Sequence, residues 1–146
     1  MPGLQTLDQQ RAAFAWDKVS ALGGGLGDYL SLVRQLPAMV QTNGLGQTLA
    51  FLLIQDGAKY RLYEHLQDWL CADCPYPVYL APKPAPGQTQ EQDLRLIRKL
   101  TTGDSLKLRH ATLEVQALAL WLKRFAGALD GEKIAVKSAP IAQGGL

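Results

Sequence analysis

Apolar residues recur at three- and four-residue spacings along almost the whole chain, whereas strict apolar–polar alternation is hard to find. A 3.6-residue period turns one side of a helix into a core, and a two-residue period does the same for a strand. The pattern therefore predicts an all-α fold, a single bundle of six or seven helices. Hydrophobic residues make up 47% and charged residues 19% of the 146. A chain of that length buries roughly 70% of its unfolded surface, so a substantial core is expected. No apolar run exceeds six residues, far short of the ~20 needed to cross a bilayer. The opening residues, MPGLQTLDQQR, hold no apolar signal core, so a cytoplasmic protein is expected.

Residues 7–22 read as the first helix, with Thr6 or Asp8 near its N-cap and Gly23-Gly24-Gly25 ending it. Ala12, Ala15, Trp16, Val19 and Leu22 share its apolar face, and Arg11 and Lys18 line the flank. Asp28 caps a second helix over 29–36. Pro37 donates no amide hydrogen and is expected to break or kink the chain before a continuation over 37–42. Asn43-Gly44 suits a left-handed helix terminus. QTLAFLLIQ, residues 47–55, is apolar on nearly all sides and reads as the buried central helix. Residues 59–72 are expected to bury Tyr60, Tyr63, Leu66, Trp69 and Leu70. Five prolines between 75 and 86 then impose an extended, polyproline-like loop over 75–87. Thr89 caps a helix over 90–100, apolar at Leu94, Leu96, Ile97 and Leu100 and basic at Arg95, Arg98 and Lys99. Asp104 caps the longest helix, 105 to about 129, whose Trp121 and Phe125 are expected to pack on the central helix. One domain over 1–130 and a tail over 131–146 complete the expected organisation.

The familiar catalytic constellations fail on these residues. Cys71 and Cys74 have metal-ligand spacing, but a four-ligand zinc site would need both cysteines and both histidines, His65 and His110, of the chain. A thioredoxin-like pair needs a βαβ context that the pattern lacks. Two reduced thiols near a helix end, and no metal, are expected. The glycine run 23–27 lacks a preceding strand and the Gly-Lys-Ser/Thr of a phosphate loop, and Asp28 would repel an anion. Gly44-Leu45-Gly46 lacks the third glycine of a dinucleotide fingerprint, so both are turns and no cofactor is expected. His110 and Glu114 lie four apart, with Glu114 on a mostly apolar side. Such a carboxylate is either a tuned acid or base, or the buried partner of an arginine from a neighbouring helix. No second catalytic group stands beside it, so the ion pair is expected and enzymatic activity is not.

Charge narrows the partners only locally. Fifteen Lys+Arg against thirteen Asp+Glu leave +2, too little for an autonomous, tight nucleic-acid binder. Between 94 and 124, however, Arg95, Arg98, Lys99, Lys107, Arg109, Lys123 and Arg124 face only Asp104 and Glu114. On a helical wheel Arg109, Thr112, Gln116 and Lys123 fall within about 60° of one another. They form a polar stripe about 21 Å long with a cation at each end. That length suits several phosphates, or equally the narrow solvent-facing side of a buried helix.

Three segments, DQQRAAFAW (8–16), LPAMVQTNGLGQTLAFLL (36–53) and LEVQALALWLKRFA (113–126), resemble the small helical subunit of type III-B CRISPR effector complexes, the fifth Cmr protein. The strings Pro-Ala-x-x-x-x-Asn-Gly-Leu-Gly and Trp-Leu-Lys-Arg-Phe-Ala carry the specificity of the match. The resemblance implies a non-catalytic helical bundle in antiviral defence. Copies of it would stack into an inner filament beside the backbone subunits, help hold the guide RNA–target RNA duplex and touch the large polymerase-like subunit. Target cleavage and cyclic oligoadenylate synthesis would belong to other subunits. Lys123 and Arg124 lie inside a matching string and are the RNA contacts the resemblance supports. Arg34 and Arg109 adjoin matching strings, while Arg98 and Lys99 rest on the helical reading alone. Contacts to phosphate hold a backbone without reading it, and guide pairing supplies the sequence. The alternative is a helical protein–protein scaffold without direct RNA contact, its basic patch meeting acidic protein.

Overall fold

A computed structural model describes residues 4–54, 57–82 and 94–145, from 132 onward as backbone alone. Within them lie six α-helices and no strand, the all-α bundle that the periodicity predicts. They are α1 (Leu7–Ser20), α2 (Leu26–Asn43), α3 (Leu45–Leu52), α4 (Ala58–Asp68), α5 (Arg95–Thr102) and α6 (Ser105–Gly145). A π-helical turn, Trp69–Asp73, continues α4. The last helix is the spine, with α1 and α2 packed along it. Helix α4 packs on α2, α3 joins α2 to α4, and α5 covers α3 and the π turn.

Helix ends follow local chemistry where the partner is close in sequence. The Thr6 hydroxyl accepts from the Gln9 amide at 3.0 Å, and the Gln9 side chain accepts from the Thr6 amide at 2.8 Å, a reciprocal cap on α1. Asp104 caps α6 by accepting from the Lys107 amide at 2.8 Å. Gly44, at φ +86°, ends α2 in a conformation that side chains resist. Thr89 and the start of the predicted helix over 90–100 fall in 83–93, outside the described residues. Helix α5 begins at Arg95, and α4 supplies its cap from a distance. Gln67 Oε1 accepts from the Leu96 amide at 2.8 Å and from the Tyr63 hydroxyl at 2.9 Å. That hydroxyl in turn accepts from the Ile97 amide at 3.2 Å. Two donors that a helix start leaves orphaned are thus satisfied inside the core.

Four elements depart from their predicted form. Helix α2 runs through Pro37 unbroken. Leu30, Val33, Leu36 and Val40 all bury on it, and their packing outweighs the rung that proline removes. Helix α3 is shorter and less buried than its composition implies, with Ala50 exposed and Ile54 70% exposed. On α1 it is Phe14 that enters the core, 5.0 Å from the Trp69 ring, while Trp16 stands 45% exposed. Trp121 and Phe125 pack on α1 rather than on the central helix: Trp16 meets Phe125 edge-on at 5.3 Å, and the Trp121 indole donates to Asp8 at 3.0 Å. The backbone of α6 stays helical to Gly145, past the end predicted near 129. Residues 75–82 are irregular and tied to the π turn, the Tyr79 and Ala81 amides donating to the Leu70 and Cys71 carbonyls at 3.1 and 2.9 Å. Among the described residues no helix is long and apolar enough to cross a membrane.

Candidate nucleic-acid interface

Polar contacts fix how α6 is rotated in the bundle. Glu114, 4% exposed, takes Arg11 from α1 in bidentate fashion, Nε at 2.6 Å and Nη2 at 2.9 Å, together with the Trp69 indole at 2.8 Å. Burial pushes this carboxyl up, but the Arg11 and Trp69 hydrogen bonds and the guanidinium charge outweigh it and hold it below the usual carboxylate range. This is the ion pair to a neighbouring helix that the sequence predicts. Both oxygens are engaged, so Glu114 anchors α6 to α1. Trp121 makes a second link to α1 through Asp8. On the opposite side the Gln116 amide donates to the Pro37 carbonyl of α2 at 3.0 Å.

With Glu114 and Trp121 turned to α1 and Gln116 to α2, a strip through Leu113, Ala117, Leu120 and Arg124 faces outward at 100° per residue. The predicted polar stripe is rotated from this direction and runs along α2. Gln116 lies on Pro37, and a Cβ on Gly127 would stand 3.9 Å from Leu30 Cδ1. Those two positions bracket Lys123 on α6, as Leu30 and Pro37 bracket Arg34 on α2. Half-buried Lys123 and exposed Arg34 therefore share one level of the α2–α6 seam. Exposed Arg109, seven residues before Gln116, lies farther along the same side. Thr112, between them, returns its hydroxyl to the Leu108 carbonyl at 2.8 Å. Arg124 is exposed on the outward strip. Arg98 and Lys99 are exposed on α5, which packs on α3 and the π turn, so they do not join the seam.

The cations sort by what they touch. Arg11 is held by Glu114, Lys18 by Asp68 at 3.2 Å, and Arg95 by Asp68 at 3.2 Å and the Ala81 carbonyl at 2.7 Å. Arg95 is therefore structural, not part of a solvated basic face. Arg34, Arg109, Lys123 and Arg124 form no ion pair among the described residues. Sequence reasoning overlooks a second property of α6. Leu106, Leu113 and Leu120 are 76%, 61% and 46% exposed, and their seven-residue spacing is the signal that places them on one side.

Of the groups considered for metal or redox chemistry, His110 is exposed on α6, and the other three are buried away from it. Cys71 and Cys74 are both buried, and burial pushes the Cys74 thiol up. His65 is buried with its Nδ1 2.7 Å from the Tyr29 hydroxyl; burial, then the Lys18 charge, lowers it to about 4. Among the described residues no three His, Cys, Asp or Glu side chains gather as a metal site.

Residues 7–129 match the CRISPR-associated protein family Cas_Cmr5. The chain is 32% identical over 132 residues to the CRISPR system Cmr subunit Cmr5 of Thermus thermophilus, a match covering 88% of this chain and all of that relative. It also superposes on the X-ray crystal structure of a CRISPR-associated Cmr5 family protein from Thermus thermophilus. The TM-score is 0.65 at 32% identity, over 86% of this chain and 98% of the other.

Proposed function

The chain belongs to the Cmr5 family of CRISPR-associated proteins, and from that premise we propose that its α2–α6 seam holds RNA backbone within the assembly. It is a small subunit of a type III-B Cmr complex. In this reading it acts in the cytoplasm as a non-catalytic part. Copies stack into an inner filament beside the backbone subunits and the large polymerase-like subunit, and together they steady the guide RNA–target RNA duplex. The observation that carries the reading is the row of Arg34, Lys123 and Arg109 on one seam, each without an ion pair among the described residues. Arg124, Arg98 and Lys99 are further candidate contacts, on other faces.

The mechanism is electrostatic positioning. Each cation meets phosphate and reads no base, so specificity comes from guide pairing. A net charge of +2 makes one copy a weak binder, and repetition along a filament raises the grip through effective concentration.

The test is Arg109→Ala combined with Lys123→Ala in assembled complexes loaded with two unrelated guides. Target capture should weaken equally for both guides, and its salt dependence should flatten because fewer counterions are displaced. Unaltered affinity and salt slope would hand the function to the second reading, a scaffold that joins protein subunits without touching RNA. The exposed leucines of α6 are the observation in favour of that scaffold.

A further inference from the structure

Helix α2 carries a gap in its hydrogen bonding beside one of the seam cations. Pro37 has no amide hydrogen, so the Val33 carbonyl lacks the partner it would find four residues on. A missing rung is where helices bend. Leu36 and Val40 bury around it and α2 stays continuous, yet apolar burial is non-directional and sets no angle between the two halves. Arg34 sits on this stretch, three residues before the proline.

Gln116 meets α2 at that point. Its side-chain amide donates to the Pro37 carbonyl at 3.0 Å, and among the described residues this is the one hydrogen bond that joins α2 to α6. Helix α1, by comparison, is tied to α6 through both Arg11 on Glu114 and Asp8 on Trp121. The Gln116 bond comes with a penalty. A carbonyl only accepts, so the amide nitrogen must face Pro37. Oε1 is left buried with no donor among the described residues. An apolar side chain of the same length would fill the place without desolvating an oxygen. For stability alone glutamine is a poor occupant; what it adds is a directed link between two helices.

We propose that Gln116 is a positioning residue of the seam: its bond to the Pro37 carbonyl holds the gapped stretch of α2 against α6 and so sets the spacing of Arg34 and Lys123. Arg34 rides on the gapped stretch and Lys123 stands on α6 seven residues beyond Gln116. A bend of α2 at Pro37 therefore moves one cation against the other. The phosphates of a nucleic-acid strand recur at fixed intervals, so two cations grip one strand together only at a matching spacing. The proposal rests on the reading that the seam holds RNA, and it gives Gln116 no contact with the RNA itself.

The test is Gln116→Met, which keeps the side-chain length and removes both the donor and the orphaned oxygen. Its urea midpoint should equal or exceed that of the wild-type chain, because the penalty goes with the bond. The amides of residues 38–41 should exchange about tenfold faster, with those of α1 unchanged. Assembled complexes should capture target RNA about threefold or more weakly. Pro37→Ala closes the gap from within α2, so adding it to Gln116→Met should restore both exchange and capture. A lowered urea midpoint would make the bond an ordinary stabilising contact and overturn the proposal. Unchanged exchange overturns it too, and so does a loss of capture that Pro37→Ala fails to restore, which is the mark of a direct RNA contact. Complexes with Arg109→Ala and Lys123→Ala keep the two readings apart. If they lose capture while Gln116→Met does not, the seam stands and the positioning role falls. If they capture normally, the seam reading falls, and the exchange rates with their Pro37→Ala reversal decide the α2–α6 link alone.

Discussion

A charge inside a protein persists only where another charge answers it, and α1 supplies two such answers seven residues apart. Arg11 meets Glu114 and Lys18 meets Asp68. Removing one member leaves the other stranded, so Glu114→Ala should cost about 3–5 kcal/mol, read as a lower urea midpoint. His65 sets a different dependence. Its imidazole takes a proton near pH 6.5 in the unfolded chain and only at about 4 when folded. Between those values the unfolded state binds more protons, so stability falls as pH drops from 6.5 toward 4. At about 1.4 kcal/mol per pH unit, this group should remove about 2 kcal/mol between pH 7 and pH 5. Urea unfolding at the two pH values measures it, and His65→Gln, which cannot titrate, should show a correspondingly smaller fall. The Glu114 contribution is lost only at lower pH, as its depressed carboxyl protonates.

At the level of the helix, α5 depends on a cap that its own sequence does not contain. Gln67→Ala withdraws the acceptor from the Leu96 amide and a partner from the Tyr63 hydroxyl. The expected loss is about 1–3 kcal/mol, with faster hydrogen exchange confined first to the Leu96 and Ile97 amides. The same helix shows where a linear reading stops. The wheel places Leu96 inside and Arg98 and Lys99 outside because that information is local. The Gln67–Leu96 bond spans 29 positions, and no periodicity encodes it. The wheel likewise sets Trp16 on the inner face of α1, whereas the long-range contact of Phe14 with Trp69 rotates the helix and leaves Trp16 at the rim. Pro37 marks a break by local rules, yet Leu36 and Val40 bury on either side of it and carry α2 through. The ion pair of Glu114 was legible from an acid on an apolar side, though not that Arg11 would be its partner. Lys123 and Arg34 were each legible as candidates, but their shared level on one seam exists only once α2 and α6 are packed. The leucine spacing was visible too, and misleads because an apolar repeat is read as core when no partner surface is known.

Across the whole molecule, the cations that hold the fold differ from those that line the seam. Arg109→Ala with Lys123→Ala should therefore leave urea unfolding within about 0.5 kcal/mol of wild type, even where target capture is impaired. The three tryptophans divide along similar lines. Trp16 stands nearly half exposed beside Phe125 and Trp121 is half-buried, while Trp69 is 1% exposed with its indole on a carboxylate. The chain thus carries its own optical reporters. A soluble quencher such as acrylamide should dim Trp16 at once and reach Trp69 only as the bundle opens. Fluorescence from unlabelled protein would then tell an event at the rim of α1 from the loss of the core beneath it.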